Sequence, residues 1–85
     1  MLPPRHTRTL ARVFESPVRS DVRWAEVETL LRALGAEITE GAGSRVRVRL
    51  NGVRAVFHRP HPAPVTDKGA LRSVRRFLIE AGVSP

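Results

Sequence analysis

Arginines alternate with apolar residues between positions 45 and 58, and this spacing is the first feature that could do chemistry. The segment from Arg45 to Leu50 alternates strictly, Asn51-Gly52 follows, and a returning segment carries Arg54. Alternate residues of a β-strand share a face, so Arg45, Arg47 and Arg49 are expected on one side of a strand. Arginine forks match phosphate oxygens, and no acidic residue lies between 45 and 58. The pattern therefore favours a face that binds a polyanion.

A second basic set lies on the exposed side of the predicted C-terminal helix. It consists of Lys68, Arg72, Arg75 and Arg76. If strand face and helix form one groove, a nucleic-acid backbone is its natural counterion, with Arg72 beside the four hairpin arginines. Two alternatives stay open: the arginines dock an acidic protein partner, or they are dispersed charges that keep the protein soluble.

Two histidines stand close to this charge in the sequence. His58 ends the returning segment on the arginine face, and His61 lies between two prolines. A neutral imidazole can take the proton from a ribose 2′-hydroxyl while arginine stabilises charge developing at phosphorus. The structural alternative makes His58 a strand-end residue and His61 a loop residue that shapes a turn. His6 falls in residues 1–6, which are expected to form a frayed tail without a role.

Composition limits the other kinds of chemistry. The 85 residues contain no cysteine, which excludes thiolate ligands and nucleophiles, and no carboxylate stands within several residues of His58 or His61. We therefore expect no metal and no cofactor. A formal net charge of +7 indicates polyanionic partners, and no apolar run is long enough to cross a membrane. A cytoplasmic protein is the expectation.

The elements that position these residues follow from periodicity and turn signals. A short helix is predicted over residues 7–15, followed by an amphipathic helix capped by Ser20 or Asp21 and closed by Gly35. A strand over residues 36–39, the hairpin, a proline-rich loop and a helix capped by Thr66 or Asp67 complete the chain. The predicted order is α-α-β-β-β-α, an α+β fold. In the second helix Glu26, Glu28 and Arg32 are expected on the exposed side.

The hairpin register can be predicted residue by residue. Asn51-Gly52 is the signal for a two-residue type I′ turn, so Leu50 faces Val53. The pairs expected to face the core are Leu50–Val53, Val48–Ala55 and Val46–Phe57. The pairs expected on the opposite face are Arg49–Arg54, Arg47–Val56 and Arg45–His58. Slippage by one residue would bury three arginines, so this register is strongly specified.

Several short motifs together resemble those of the HicA toxin family over about residues 22 to 83. They are Val27-Glu28-Thr29-Leu30-Leu31, Leu34-Gly35-Ala36, the Gly43-Ser44 turn, the Pro60-His61-Pro62 loop, the helix start Lys68-Gly69-Ala70-Leu71-Arg72-Ser73-Val74, and Ala81-Gly82-Val83. The resemblance implies a fold similar to the double-stranded-RNA-binding domain, α-β-β-β-α with a three-stranded antiparallel sheet packed on two helices. Residues 22–85 then form the HicA-like RNA-binding domain, and residues 1–21 an added tail and short helix.

The resemblance also implies a ribosome-independent endonuclease that acts on mRNA and is neutralised by a HicB antitoxin. The family motif is Gly-Ser-His with a catalytic histidine, whereas this chain reads Gly43-Ser44-Arg45. Arginine stays protonated and cannot be a general base. Because the register places His58 across from Arg45, we expect His58 to be the base and Arg45 a phosphate clamp. The alternatives are an RNA-binding or regulatory module that has lost cleavage, and an interaction domain for an acidic protein.

Overall fold

The computed structural model describes residues 2–61 and 63–85; Met1 of the predicted tail and Pro62 of the predicted loop lie outside the described residues. Within these residues, three helices and one three-stranded antiparallel sheet form an α+β fold in the predicted order. The elements are α1 (Pro4–Val13), α2 (Trp24–Ala33), β1 (Glu37–Glu40), β2 (Arg45–Leu50), β3 (Val53–His58) and α3 (Lys68–Glu80). No helix in the described part of the chain is long and apolar enough to span a membrane.

The sheet confirms the predicted hairpin register. Strand β2 lies between β1 and β3, and its pairing with β3 runs from Leu50↔Val53 to Arg45↔His58. Asn51 and Gly52 both have positive φ, 50° and 81°, as the type I′ turn requires. The first strand covers Glu37–Glu40, one residue later than predicted.

Helices α2 and α3 cover one face of this sheet, the inner face, and leave the other face, the outer face, to solvent; α1 packs on the two helices. Three aromatic rings join the layers: Phe57 of β3 lies 5.9 Å from Trp24 of α2 and 5.8 Å from Phe77 of α3. Val46, Val48 and Leu50 of β2 are buried against them. The alternation of β2 thus assigns its apolar residues to the core and its arginines to the outer face.

Helix α1 begins earlier than the sequence pattern indicated. It starts at Pro4 rather than Thr7, so the prediction of a frayed tail was wrong for residues 4–6. Proline is favoured at the first position of a helix because its φ is already helical and its missing N–H is not needed there. His6, expected to lie idle in that tail, is 5% exposed on the same face as Leu10 and Val13. Its spacing from them, i+4 and i+7, was the available signal.

Helix α2 begins later than predicted, at Trp24, and neither Ser20 nor Asp21 caps it. The preceding residues are extended instead: Thr66 donates its N–H to the Val22 carbonyl at 2.7 Å, and Trp24 donates to the Pro64 carbonyl at 3.0 Å. This pairing ties the start of α2 to the chain just before α3. Asp67 caps α3 as predicted, because its side chain accepts the Ala70 N–H at 2.8 Å.

Candidate nucleic-acid interface

The outer face of the sheet carries the predicted arginines in three cross-strand rows. The rows are Glu37–Arg49–Arg54, Thr39–Arg47–Val56, and Arg45–His58. All four arginines are exposed, so the structure brings the hairpin part of the predicted site together. This arrangement is what a phosphate-binding surface needs: several guanidinium groups on one rigid element.

The neighbouring strand β1 supplies an acid that the hairpin lacks. Glu37 accepts a hydrogen bond from Arg49 at 2.7 Å, so Arg49 is already neutralised within the fold. Arg47 reaches only the backbone carbonyl of Glu40, at 3.5 Å. Within the described residues, neither Arg45 nor Arg54 makes an ion pair. Arg45, Arg47 and Arg54 are therefore the cations of this face that remain available to a ligand.

A shallow concavity lies in the middle of these arginines. It is lined mainly by Glu37, Thr39, Arg47, Arg49, Arg54 and Val56. The Val56 side chain is 57% exposed, the only apolar side chain of β3 on this face. Val56 thus adds one exposed apolar side chain on the β3 side of the face, next to Arg47 in its own row and between Arg54 and His58 along its strand.

His58 occupies the end of this face that the hairpin register predicted. It pairs directly with Arg45, and both side chains are exposed on the outer face. No carboxylate in the described residues accepts a hydrogen bond from His58. The adjacent turn is fixed by its own backbone: Gly41 donates to the Arg45 carbonyl at 2.9 Å, and Gly43 has a φ of 65°. Arg45 and His58 therefore stand side by side on a rigid end of the sheet.

The other predicted site residues lie elsewhere. His61 lines a concavity with Lys68 and Gly69 at the start of α3, a surface that does not include His58. Arg72 and Arg76 are exposed on α3, which covers the inner face of the sheet. The exposed sides of the two layers point away from each other, so hairpin and α3 do not form the single groove considered from sequence.

Arg75 of α3 has a structural contact that the sequence did not indicate. Its guanidinium donates to the Val13 carbonyl at 2.8 Å and to the Glu15 carbonyl at 2.5 Å, and it lies 5.9 Å from the Phe14 ring centre. These carbonyls belong to the end of α1 and the residues after it. Arg75 thus fastens α1 to α3.

A charged cluster that sequence reasoning missed lies just behind His58. Arg59 donates to Glu28 at 2.7 and 3.2 Å and to Glu40 at 2.6 Å through Nη2. The Trp24 indole N–H also donates to Glu28, which is 8% exposed. The prediction that Glu28 lies on the exposed side of α2 was therefore wrong. The i,i+4 spacing of Trp24 and Glu28 was a signal that could have found this contact.

The cluster shifts the titration of its carboxyl groups. Hydrogen bonds from Arg59 hold the pKa of Glu28 below its usual value, against the opposing effect of burial, and the Trp24 N–H adds to the lowering. Hydrogen bonds from Arg59 likewise lower the pKa of Glu40. Both carboxylates stay ionised at neutral pH. The cluster joins the end of β3, and so His58, to α2 and β1.

No metal site accompanies these residues: the described part of the chain contains no group of three or more histidine, aspartate and glutamate side chains that could hold an ion. Besides Glu37 and Thr39, the outer face offers guanidinium groups and one imidazole. These can bind phosphate, stabilise negative charge on it and exchange a proton.

The fold and the outer face define a small basic α+β protein with a surface suited to a polyanion. Comparison with known families gives the narrower class: the model described as "HicA toxin of bacterial toxin-antitoxin" matches residues 24–83, most of the chain. The chain belongs to the HicA toxin family. Searches of the curated proteins and of the solved structures found no match. Helix α1 lies outside the matched residues.

Membership of this family implies an antitoxin partner and an RNA substrate in general terms. Arg45 stands where the resemblance expects the catalytic histidine, on the outer face and beside His58.

Proposed function

We propose that this chain is a toxin that binds mRNA on the outer face of its sheet, through Arg45, Arg47 and Arg54. The observation that carries the proposal is the row in which Arg45 and His58 pair across β2 and β3, next to Arg47 and Arg54, which make no ion pair within the described residues. Phosphate contacts of this kind fix the register of a nucleic acid without reading its sequence. We propose Lys68, Arg72 and Arg76 as further phosphate contacts on a separate surface.

We further propose that His58 is the general base of a metal-independent endonuclease. His58 takes the proton of a ribose 2′-hydroxyl, whose oxygen attacks the adjacent phosphorus. The P–O5′ bond breaks, a 2′,3′-cyclic phosphate forms, and the leaving 5′-oxygen takes a proton from water. Arg45 stabilises the negative charge that develops on the phosphate oxygens. His61, on another surface, has no part in this step.

A second function is favoured by one observation on the same residues. Arg45 cannot act as a base, and no carboxylate in the described residues orients His58. A chain with this site can hold RNA and an antitoxin without cleaving RNA. Binding is common to both functions, and turnover separates them.

Incubation of the purified protein with a mixed mRNA pool in EDTA tests both functions together, with bound RNA and new fragments measured in the same samples. We expect wild type to bind and cleave, and Arg47→Gln to weaken binding about tenfold, within the range for a lost charged hydrogen bond. Binding without fragments would assign the second function. Absence of binding would overturn both.

A further inference from the structure

Strand β3 is one edge of the sheet, and no strand in the described residues pairs with its outer side. All six of its residues pair with β2 in unbroken register, without a bulge and without proline. The opposite edge strand, β1, has four residues, and Glu40 at its end is held by Arg59. Natural edges are usually shortened, bulged or covered. Of the two edges, β3 is the longer and more regular one.

The hydrogen-bond alternation shows which backbone groups of β3 are unused. Hydrogen-bonded and non-hydrogen-bonded pairs alternate along an antiparallel ladder, and the Arg59 N–H donates to the Ser44 carbonyl at 2.8 Å. Arg59 is therefore a residue whose backbone faces β2, and every second residue before it does the same. Phe57, Ala55 and Val53 thus direct their backbone N–H and C=O groups toward β2. The outward groups are therefore those of Arg54, Val56 and His58, three exposed residues.

The side chains of these same three residues lie on the outer face, next to the open edge. Arg54 has no ion pair among the described residues, Val56 is 57% exposed, and His58 is exposed. A charged side chain on an edge repels a strand of like charge, but it attracts one of opposite charge. The pattern along the edge is cation, apolar residue, imidazole, and its complement alternates acidic and apolar residues.

The same pattern argues against a second copy of this chain as the occupant. If two β3 strands pair antiparallel about Val56, Arg54 of each copy faces His58 of the other. A shift of one strand by two residues brings Arg54 opposite Val56, or Val56 opposite His58, and a shift by four residues brings two Arg54 or two His58 side chains opposite each other. Every such pairing lacks an acid, so none of these registers neutralises the cations of the edge.

We propose that an acidic extended segment of a protein partner adds to β3 as a fourth strand. The partner that fits is the antitoxin that membership of the family implies. Backbone hydrogen bonds to Arg54, Val56 and His58 give it affinity, and its acidic and apolar side chains meet the outer face. Such a strand occupies Arg54 and covers His58, so it excludes RNA from the same face. The inference does not depend on whether the chain cleaves RNA.

The test uses a capped peptide of alternating glutamate and valine, as long as β3, titrated into the full chain labelled with 15N. We expect the amides of Arg54, Val56 and His58 to shift and to become protected from hydrogen exchange. Those of Val53, Ala55 and Phe57 should be protected already in the free protein. The same peptide with N-methyl groups on its pairing edge should bind about tenfold more weakly or not at all.

Two protein variants separate strand addition from simple charge attraction. Val56→Pro removes an outward N–H that β2 does not use and should bind the peptide about tenfold more weakly than Val56→Thr, a variant of the same residue that keeps the N–H. Arg54→Glu should instead favour a peptide with lysine in place of glutamate.

Equal binding of the methylated and unmethylated peptides by wild type would overturn the proposal, and this comparison needs no variant to fold. Shifts confined to arginine side chains, or a peptide-free protein that dimerises through β3 in sedimentation experiments, would also overturn it.

Discussion

Position 45 carries arginine, whereas the resemblance to the family implies a histidine there. Arginine at this point keeps a fixed positive charge on the outer face, and the only proton acceptor of its row is His58 on the neighbouring strand. The proposed roles, His58 as the base and Arg45 as the phosphate contact, are compatible with the geometry, because residues directly opposite each other in an antiparallel pair are only about 4.5–5.5 Å apart at Cβ. A base on β3 can thus reach nearly the same space as a base on β2.

Glu28 makes the acid stability of the protein testable. Its pKa is lower in the folded chain, so its ion pair stabilises the fold above the usual glutamate pKa, about 4.3, and that stabilisation is lost as pH falls through the folded value. Glu28→Gln should lower the free energy of unfolding at pH 7 by about 2 kcal/mol and flatten its decline in acid, because Arg59 loses a charged hydrogen-bond acceptor. Urea titrations between pH 7 and pH 3 measure this.

Glu26→Gln, which loses only a 3.6 Å surface pair with Arg12, is the control and should change little. If the free energy of unfolding of Glu28→Gln fell in acid as steeply as that of wild type, Glu28 would not be a source of the pH dependence.

Among the elements, the hairpin could be predicted to the residue and the helix starts could not. A period of two, a type I′ dipeptide and three arginines that resist burial all specify the same register of β2 and β3. The start of α2 depends instead on Val22 and Thr66, which are far apart in sequence and pair only in the folded chain. Local capping preferences at Ser20 and Asp21 yield to that pairing.

Helix α1 depends on a long-range contact of the same kind. Arg75→Ala removes the guanidinium that donates to the Val13 and Glu15 carbonyls and should destabilise the protein by about 1–2 kcal/mol. Arg76→Ala, the exposed neighbour on α3, should stay within about 0.5 kcal/mol of wild type. Thermal and chemical unfolding compare the two variants. Equal stability of both would mean that Arg75 does not fasten α1.

For the whole molecule, the sequence predicts the total charge well, but it does not show where on the surface the unpaired charges lie. A net charge of +7 and an acid-free hairpin indicate a polyanion surface. The strand β1, however, brings Glu37 to Arg49, and the layer order separates Arg72 and Arg76 from the hairpin. Arg59, next to His58 in sequence, forms ion pairs with Glu28 and Glu40. Partners distant in sequence decide which arginines remain for a ligand.

Salt dependence counts the arginines that RNA uses. With a single strand too short to reach the separate surface on α3 as well, Arg45, Arg47 and Arg54 would each contact one phosphate, and the logarithm of the binding constant should fall against the logarithm of salt with a slope of about −2. Arg47→Gln should make this slope shallower by about 0.7, and Arg49→Gln, whose arginine is already paired with Glu37, should leave it nearly unchanged. Fluorescence anisotropy with a labelled RNA at several salt concentrations gives the slopes. Equal losses in both variants would contradict the assignment of Arg49 to Glu37.

The most direct test of the central claim is the chemistry of RNA fragments produced by wild type, His58→Ala and His61→Ala under identical conditions in EDTA. We expect fragments with 2′,3′-cyclic phosphate ends from wild type and from His61→Ala, and at least about a hundredfold loss of cleavage in His58→Ala, the usual contribution of a general base. Binding of RNA by all three proteins would show that the loss lies in chemistry. Undiminished cleavage by His58→Ala would contradict the proposal that His58 is the general base.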